Sequence, residues 1–322
     1  MKAALVKSAG QAPVYGDYPD PVPGRGEQRV HVTAAALSHV TRSRASGSHY
    51  SSAGQFPLIP GIDGTGRLDN GRRVYFFMPT APLGGFAETT VAPASHLIEL
   101  PAGLDDHTAA SIAIPGVSSW GAFTERAHLK RGETVMINGA TGAAGRLAIR
   151  IARHLGAGKI IATGRNPRSL AELPSLGADV VIPLVEGDDA LEESLKPHFA
   201  AGIDVVLDYL WGRTARLALI AAARFTPDGI PVRFISIGSA GGRDLELPSA
   251  VLRSSSIELK GSGLGSIAPK RFRDSMVALM KAAPRLRLAL PTTIVPLADI
   301  GAAWDAPDDG RRIVITPGAP GL

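Results

Sequence analysis

A turn with three glycines in seven residues is the first feature of the sequence that could do chemistry. It reads NGATGAAG over residues 138–145, after the apolar run ETVMI and before the helix-like run RLAIRIARHL. The start of a helix presents unpaired N–H groups and a partial positive charge, so a phosphate binds there when no side chain obstructs it. We therefore predict a phosphate site made by Gly139, Ala140, Thr141, Gly142, Ala143, Ala144 and Gly145.

The glycines of this turn have separate expected roles. Gly142 should let a phosphate approach the main chain, and Gly145 should let the helix lie close to the preceding strand. Ala140 stands where the dinucleotide-binding pattern G-x-G-x-x-G has its first glycine, so the match is A-x-G-x-x-G. Glycine turns often hold no ligand. The strand before, the helix after and a second strand about twenty residues later make nucleotide binding the favoured interpretation.

The end of that second strand, ATGRNPRSL, distinguishes between two dinucleotides. It contains Gly164, Arg165 and Arg168, and no carboxylate occurs before Glu172. A carboxylate would accept hydrogen bonds from an adenosine ribose, whereas a guanidinium pairs with a 2′-phosphate. The stretch therefore favours NADP(H) over NAD(H). The alternative is that Arg165 is an exposed loop residue with no ligand.

The elements that must position these residues follow from the apolar runs. ETVMIN, GKIIATG, ADVVIPL, IDVVLDYL, VRFISIG and SIELKG are separated mostly by stretches with helical periodicity. Such alternation predicts an α/β domain over residues 118–266, with a Rossmann-type, doubly wound, parallel six-stranded sheet. Residues 1–117 have short β-like runs between turn clusters. The tail, residues 267–322, returns to β character and could pair with the first domain, which would then be discontinuous.

Composition limits the class of protein. The chain has 322 residues, 45% hydrophobic and 20% charged, as in ordinary globular proteins. It has no cysteine, which excludes disulfides and thiolate metal sites. The sequence has no long apolar run and no signal-peptide pattern, so we expect a cytoplasmic protein without a membrane segment. The net charge of +5 fits a solvated surface, and nucleic-acid binding is the less favoured interpretation.

Several blocks in a fixed order resemble one superfamily across essentially the whole chain. They include MKAALV, FPLIPGIDGTG, GGFAETTVAPASHLIELP, LKRGETVMINGATGAAG, ELKGSG and the terminal GRRIVITP. In these blocks the chain resembles the medium-chain dehydrogenase/reductase superfamily and its zinc-free quinone oxidoreductase-like branch. The resemblance implies a mostly β, GroES-like catalytic domain, a Rossmann domain, and a cleft between them for NADP(H) and substrate.

The resemblance also identifies what this chain lacks. Relatives with catalytic zinc place a Cys near Ser38 and a His followed by Glu near Ile62 and Asp63. A three-ligand zinc site cannot be assembled from these positions. Without a Lewis acid, hydrogen bonds must stabilise the developing negative charge, which favours a conjugated acceptor such as a quinone or enone.

The resemblance implies candidate contacts to the acceptor in three places. Tyr50, in GSHYSSAGQF, would lie near the nicotinamide as a hydrogen-bond donor or acid, or else pack at the rim of the site. Ser38 stands where zinc-free relatives have a polar group near the substrate. Ser118 or Ser119 stands where they often have a Thr. Each serine has the alternative role of a turn residue.

Two later segments resemble those that flank nicotinamide in similar proteins. They are SIGSAGG, with Gly238 and Ser239, and KGSGLGS, with Ser262. Exposed main-chain groups at strand ends could hold the carboxamide in one orientation. The alternative is that both are plain Gly-Ser connections.

The sequence thus predicts an NADPH-dependent, zinc-independent oxidoreductase that transfers hydride to a quinone or α,β-unsaturated carbonyl. The alternatives are an enoyl-thioester reductase, a zinc-independent aldehyde or ketone reductase, and an NADP(H)-binding sensor or RNA-binding protein with little turnover. An open sheet edge near ISIG and IELKG resembles the dimer-forming edge of similar proteins, so a homodimer is expected.

Overall fold

The structure is a computed structural model that describes residues 1–48, 55–184, 187–307 and 309–318. It divides into two compact units. The first unit comprises residues 1–114 and 280–322, and the second comprises residues 115–279.

The elements are numbered in chain order. The strands are β1 (Lys2–Leu5), β2 (Val14–Asp17), β3 (Glu27–Ala36), β4 (Asp63–Arg67), β5 (Arg73–Phe77), β6 (Thr89–Pro93), β7 (Leu97–Glu99), β8 (Thr134–Asn138), β9 (Lys159–Gly164), β10 (Val180–Pro183), β11 (Val205–Asp208), β12 (Val232–Ser236), β13 (Ile257–Gly261), β14 (Thr292–Pro296) and β15 (Arg312–Thr316). The helices are α1 (His39–Ala45), α2 (Asp106–Gly121), α3 (Ala143–Leu155), α4 (Pro167–Leu176), α5 (Asp188–Ala200), α6 (Gly212–Phe225), α7 (Ser249–Arg253), α8 (Pro269–Leu286) and α9 (Ile300–Trp304).

The first unit is mostly β. Its larger sheet has the order β14-β15-β3-β4-β5-β7, with β6 also paired to β3, while β1 and β2 form a separate pair. Val30, Val74 and Phe76 are fully buried or nearly so in one of its apolar clusters. The tail strand β15 runs antiparallel to β3, with Val314 opposite Ala36. The tail and the N-terminal strands therefore share one sheet.

The second unit contains the predicted parallel sheet. Its order is β10-β9-β8-β11-β12-β13, and each of the six apolar runs forms one strand. The central strands β8, β9 and β11 are mostly apolar and buried because helices cover parallel sheets on both faces. On α3, Leu147, Ala148, Ile151 and Ala152 are buried at helical spacing. The predicted Rossmann-type fold class is confirmed.

Within the described residues, no helix combines the length and the apolar character needed to cross a membrane.

Candidate functional site

The glycine turn lies where the strand order of the second unit reverses. The chain leaves β8 at Asn138, passes through residues 139–142 and enters α3, with Gly142 as the N-cap residue. From β8 the chain builds β9 and β10 on one side and β11, β12 and β13 on the other. In doubly wound sheets, ligands bind outside the carboxyl ends of the strands at this reversal. The turn therefore has the position of a nucleotide site.

Two glycines of the turn are required by the fold itself. A Cβ on Gly145 would lie 2.5 Å from both Ala140 Cα and Gly139 O, which are main-chain atoms that have no freedom to move aside. Gly139 has φ of +90°, in the region that favours glycine. These two glycines allow the close contact between α3 and the end of β8.

Gly142 differs from those two glycines because neither its backbone conformation nor the space around it requires glycine. Its φ of −75° and ψ of 167° suit any residue. A Cβ there would have Gly139 O as its nearest neighbour, at 3.8 Å, which is ordinary van der Waals contact. A side chain would fit both the space and the backbone.

Polar side chains at the ends of three buried strands form a hydrogen-bond network that supports the glycine turn. Asn138 Nδ2 donates to Asp208 Oδ1 at 2.8 Å and to Thr214 Oγ1 at 3.2 Å. Thr163 Oγ1 donates to Asn138 Oδ1 at 2.7 Å and accepts from the main-chain N–H of Gly139 at 3.2 Å. Each member is bonded to another, as buried polar groups require. This network stabilises the main-chain conformation of the turn at Gly139.

The network was missed by the sequence analysis, although a signal for it exists. Asn138, Thr163 and Asp208 lie at or next to the carboxyl ends of β8, β9 and β11, which are adjacent parallel strands. Polar residues that close consecutive apolar runs meet at one edge of a parallel sheet.

Asp208 supports the neighbouring turn rather than a ligand. Burial raises the pKa of its carboxyl to about 6, while hydrogen bonds from Asn138 and from the N–H groups of Leu210 and Trp211 act against the rise. Those two N–H groups lie 3.2 and 3.0 Å from its oxygens. Trp211 has φ of +57°, which few non-glycine residues adopt, and the carboxyl helps to hold it there.

The predicted cofactor-selecting residues lie at the end of β9. Gly164 is buried, and a Cβ there would collide with Thr141 Cγ2, so the strand end packs against the glycine turn. Arg165 and Arg168 are exposed, as both the ligand-binding and the loop interpretations require. Glu172 is paired with Arg146 of α3 at 2.6 Å.

The two candidate serines of the PGVSSW segment are placed differently. Ser118 is half-buried and donates to the carbonyl of Pro115 at 2.9 Å. Ser119 is buried, with its Oγ 2.8 Å from Tyr209 Oη and 3.2 Å from the carbonyl of Ala144.

The Ser119–Tyr209 pair connects α2 to the first turn of α3. Burial raises the pKa of the Tyr209 hydroxyl, which therefore stays protonated and can donate to Ser119. Ser119 in turn has carbonyl acceptors at Ala144 and at Pro115. Tyr209 was missed because its partner lies ninety positions away in the sequence.

The segments expected to flank nicotinamide meet at the ends of β12 and β13. Gly238 has a structural reason to be glycine, since a Cβ there would lie 2.7 Å from Tyr209 O. Ser239 is exposed. Ser262 is buried, and its N–H donates to the carbonyl of Ser236 at 2.8 Å.

The candidate residues of the first unit lie around α1. Ser38 is buried and caps the helix: its Oγ accepts from the N–H of Thr41 at 3.0 Å and bonds to Thr41 Oγ1 at 2.9 Å. Ile62 has no metal-binding atom. Tyr50 lies outside the described residues. No cluster of three or more His, Asp or Glu side chains suited to a metal occurs among the residues that the structure describes.

A cavity of about 70 Å³ lies beside α1. The described residues that line it are Thr41, Arg44, Ala45, Gln55, Leu58, Ile59, Pro60, Gly61, Ile62, Met78, Pro79, Ala81, Pro82 and Leu83. Most are apolar. Arg44 is the one charged side chain in this described set.

Comparison with known proteins identifies the family. The probable NADPH-dependent quinone reductase tdiC of Emericella nidulans is 28% identical over 98% of this chain and 100% of that protein. The quinone oxidoreductase of Thermus thermophilus, whose structure was also solved with NADPH, matches with a TM-score of 0.81 and 25% identity, over 98% of this chain and 100% of that chain. These similarities support the medium-chain dehydrogenase/reductase superfamily, and within it the quinone oxidoreductase-like branch.

Two further matches agree with this superfamily. The family described as zinc-binding dehydrogenase matches residues 143–282, which start in the glycine turn. A mycobacterial quinone oxidoreductase shares the fold with a TM-score of 0.84 at 22% identity, over 98% of this chain and 100% of that chain.

Proposed function

We propose that this medium-chain reductase is an NADPH-dependent, zinc-independent enzyme that reduces a quinone or an α,β-unsaturated carbonyl compound. The observation that carries the proposal is Gly142. This residue has no side chain, although its backbone conformation and the space around it would accept one. It lies at the helix start, where a phosphate would bind. The names of the Emericella and Thermus relatives, which refer to NADPH and quinone, support the same reading.

The proposed cofactor contacts come from three places. The main chain of residues 139–145 receives the diphosphate, and Arg165 with Arg168 pairs with the 2′-phosphate. Main-chain groups at residues 236–242 and at Ser262 orient the nicotinamide. NADPH, when bound, supplies the hydride that reduces the acceptor.

Zinc independence rests on the residues that replace the ligands of zinc-dependent relatives. Ile62 offers no donor atom, and the Ser38 hydroxyl is engaged in capping α1. A zinc ion therefore does not fit these positions. The negative charge that develops on the acceptor oxygen must be met by hydrogen-bond donors, and conjugation lowers that demand. We propose Tyr50 as donor or acid, with Ser38 and Ser118 as lesser contacts.

The test is NADPH oxidation at 340 nm with matched panels of quinones, enones, enoyl-CoA thioesters and simple aldehydes. We expect turnover with quinones or enones that survives dialysis against a zinc chelator. Preference for enoyl thioesters would favour that alternative reductase. No oxidation with any acceptor would contradict the proposal and leave a cofactor-binding protein.

The proposed assembly is a homodimer formed through β13, the outermost strand of the six-stranded sheet. An unpaired strand edge offers N–H and C=O groups to a second copy. Light scattering is expected to give about twice the 33.4 kDa chain mass. A monomer at assay concentration would contradict it.

A further inference from the structure

The cavity beside α1 combines an apolar wall with one guanidinium. Leu58, Ile59 and Ile62 belong to the wall, and Arg44 enters it from the last turn of α1. Among the described lining residues none is acidic. An oxygen anion that enters this cavity would therefore meet a cation set against apolar side chains.

The Arg44 guanidinium has lost part of its contact with water. The side chain is half-buried, and burial lowers the pKa of Arg44 from its ordinary value. One of its contacts joins Nη1 to the sulfur of Met78 at 3.7 Å, and a guanidinium has five N–H donors in all. A partly desolvated guanidinium gains more from a carboxylate than an exposed one does, because the surrounding dielectric is lower.

The size of the cavity selects a substituent rather than a whole substrate. At about 70 Å³ it corresponds to roughly two water molecules. That space suits a carboxylate or a similarly small anionic oxygen group. A complete aromatic ring would have to remain largely outside it.

The cavity also adjoins the proposed acceptor contacts. Thr41 lines it, and the Thr41 hydroxyl is bonded to Ser38 at 2.9 Å. Ile62, which stands in the place of a zinc ligand of the zinc-dependent relatives, lines it as well. A substituent seated against Arg44 would therefore belong to an acceptor that lies near Ser38.

We propose that the cavity is a specificity site in which Arg44 binds an anionic oxygen substituent of the acceptor. The substrate class is then a quinone or enone that carries a carboxylate-like group. This inference rests on the proposed reductase function for the acceptor, while the anion site itself can be measured without turnover.

The experiment compares benzylideneacetone with its para-carboxylate, and naphthoquinone with a carboxylated naphthoquinone, in the NADPH assay. The variants are Arg44→Met, which removes the charge, and Arg44→Lys, which keeps it without the planar fork. Arg25→Met is the control, because it removes the same charge from an exposed position. Isothermal titration of the para-carboxylate, without NADPH, measures the site independently.

The expected result is a higher kcat/KM for the carboxylated acceptors. Arg44→Met should lower the ratio of carboxylated to neutral kcat/KM by about 30-fold, mainly through KM. Arg44→Lys should keep part of the preference, and Arg25→Met should keep all of it. Turnover of neutral acceptors with no carboxylate preference, and no effect of Arg44→Met on the ratio, would overturn the anion site and leave the reductase proposal intact.

The calorimetric arm separates the remaining cases. If no acceptor is reduced, the reductase proposal fails. Binding of the para-carboxylate that depends on Arg44 would then still support the anion site. Absence of binding, or binding that Arg44→Met leaves unchanged, would overturn it.

Discussion

Alanine substitutions at Gly142 and Gly145 separate the needs of the fold from the needs of the ligand. A methyl group on Gly145 would lie 2.5 Å from two main-chain atoms, where about 3.5 Å is the shortest comfortable contact. A main-chain shift of about 1 Å is then needed. Overpacking of this kind typically costs 1–3 kcal/mol, and we expect about 3 kcal/mol because both obstructing atoms are backbone.

The same methyl group on Gly142 has a contact no closer than 3.8 Å and a compatible backbone. Alanine is a poorer N-cap than glycine, while it lowers the entropy of the unfolded chain, and these effects nearly offset each other. The free energy of unfolding should therefore change by less than about 1 kcal/mol. The diphosphate would lose one or two charge-assisted hydrogen bonds, so the Kd for NADPH should rise about 10- to 100-fold.

Urea denaturation gives the unfolding free energies, and fluorescence titration with NADPH gives the Kd values. Each variant is the control for the other, since both add one methyl group to the same turn. Wild-type affinity for NADPH in Gly142→Ala would refute the argument that this glycine exists for a ligand. Equal destabilisation by both substitutions would refute the packing argument.

Three other changes test separate parts of the account. Burial raises the pKa of Asp63 to about 7, so the folded state keeps a proton that the unfolded state releases from about pH 4 upward. The unfolding free energy should therefore fall through this window, and Asp63→Asn should remove about 3 kcal/mol of the fall that urea titrations measure between pH 5 and pH 8; an unaltered pH dependence would contradict this. Arg165→Ala should weaken NADPH about tenfold and NADH less than twofold, and equal losses would refute the cofactor assignment. Tyr50→Phe should lower kcat at least about 100-fold if the hydroxyl is the acid, and an unchanged kcat would remove it from the mechanism.

Features that depend on local sequence were predictable. The turn at residues 138–145 and the strands β8 to β13 follow from apolar runs and glycine spacing, which are properties of neighbouring residues. The doubly wound parallel sheet followed from the general rule for such alternation, while the strand order that places the turn at the reversal point comes from the structure. The resemblance supplied the branch of the superfamily.

Features that depend on distant residues were not predictable. Asn138 meets Asp208 only because the sheet brings separate strand ends together. Ser119 of α2 meets Tyr209, which follows β11, only in the folded unit. The cavity at Arg44 joins α1 to two segments that are distant in the sequence.

One glycine also has a role that spacing alone did not indicate. Gly238 was expected to flank nicotinamide, and the main chain of Tyr209 gives it a packing reason as well. A glycine in a predicted site is therefore informative only after its neighbours are known, which is why Gly142 carries more weight here.

A crystal structure of this protein with NADPH would most directly test the claim that the glycine turn binds the diphosphate. We expect diphosphate oxygens within hydrogen-bond distance of the main-chain N–H groups at the start of α3, with the 2′-phosphate beside Arg165. Density for NADPH at another place, or a turn without bound phosphate in crystals saturated with NADPH, would contradict this claim.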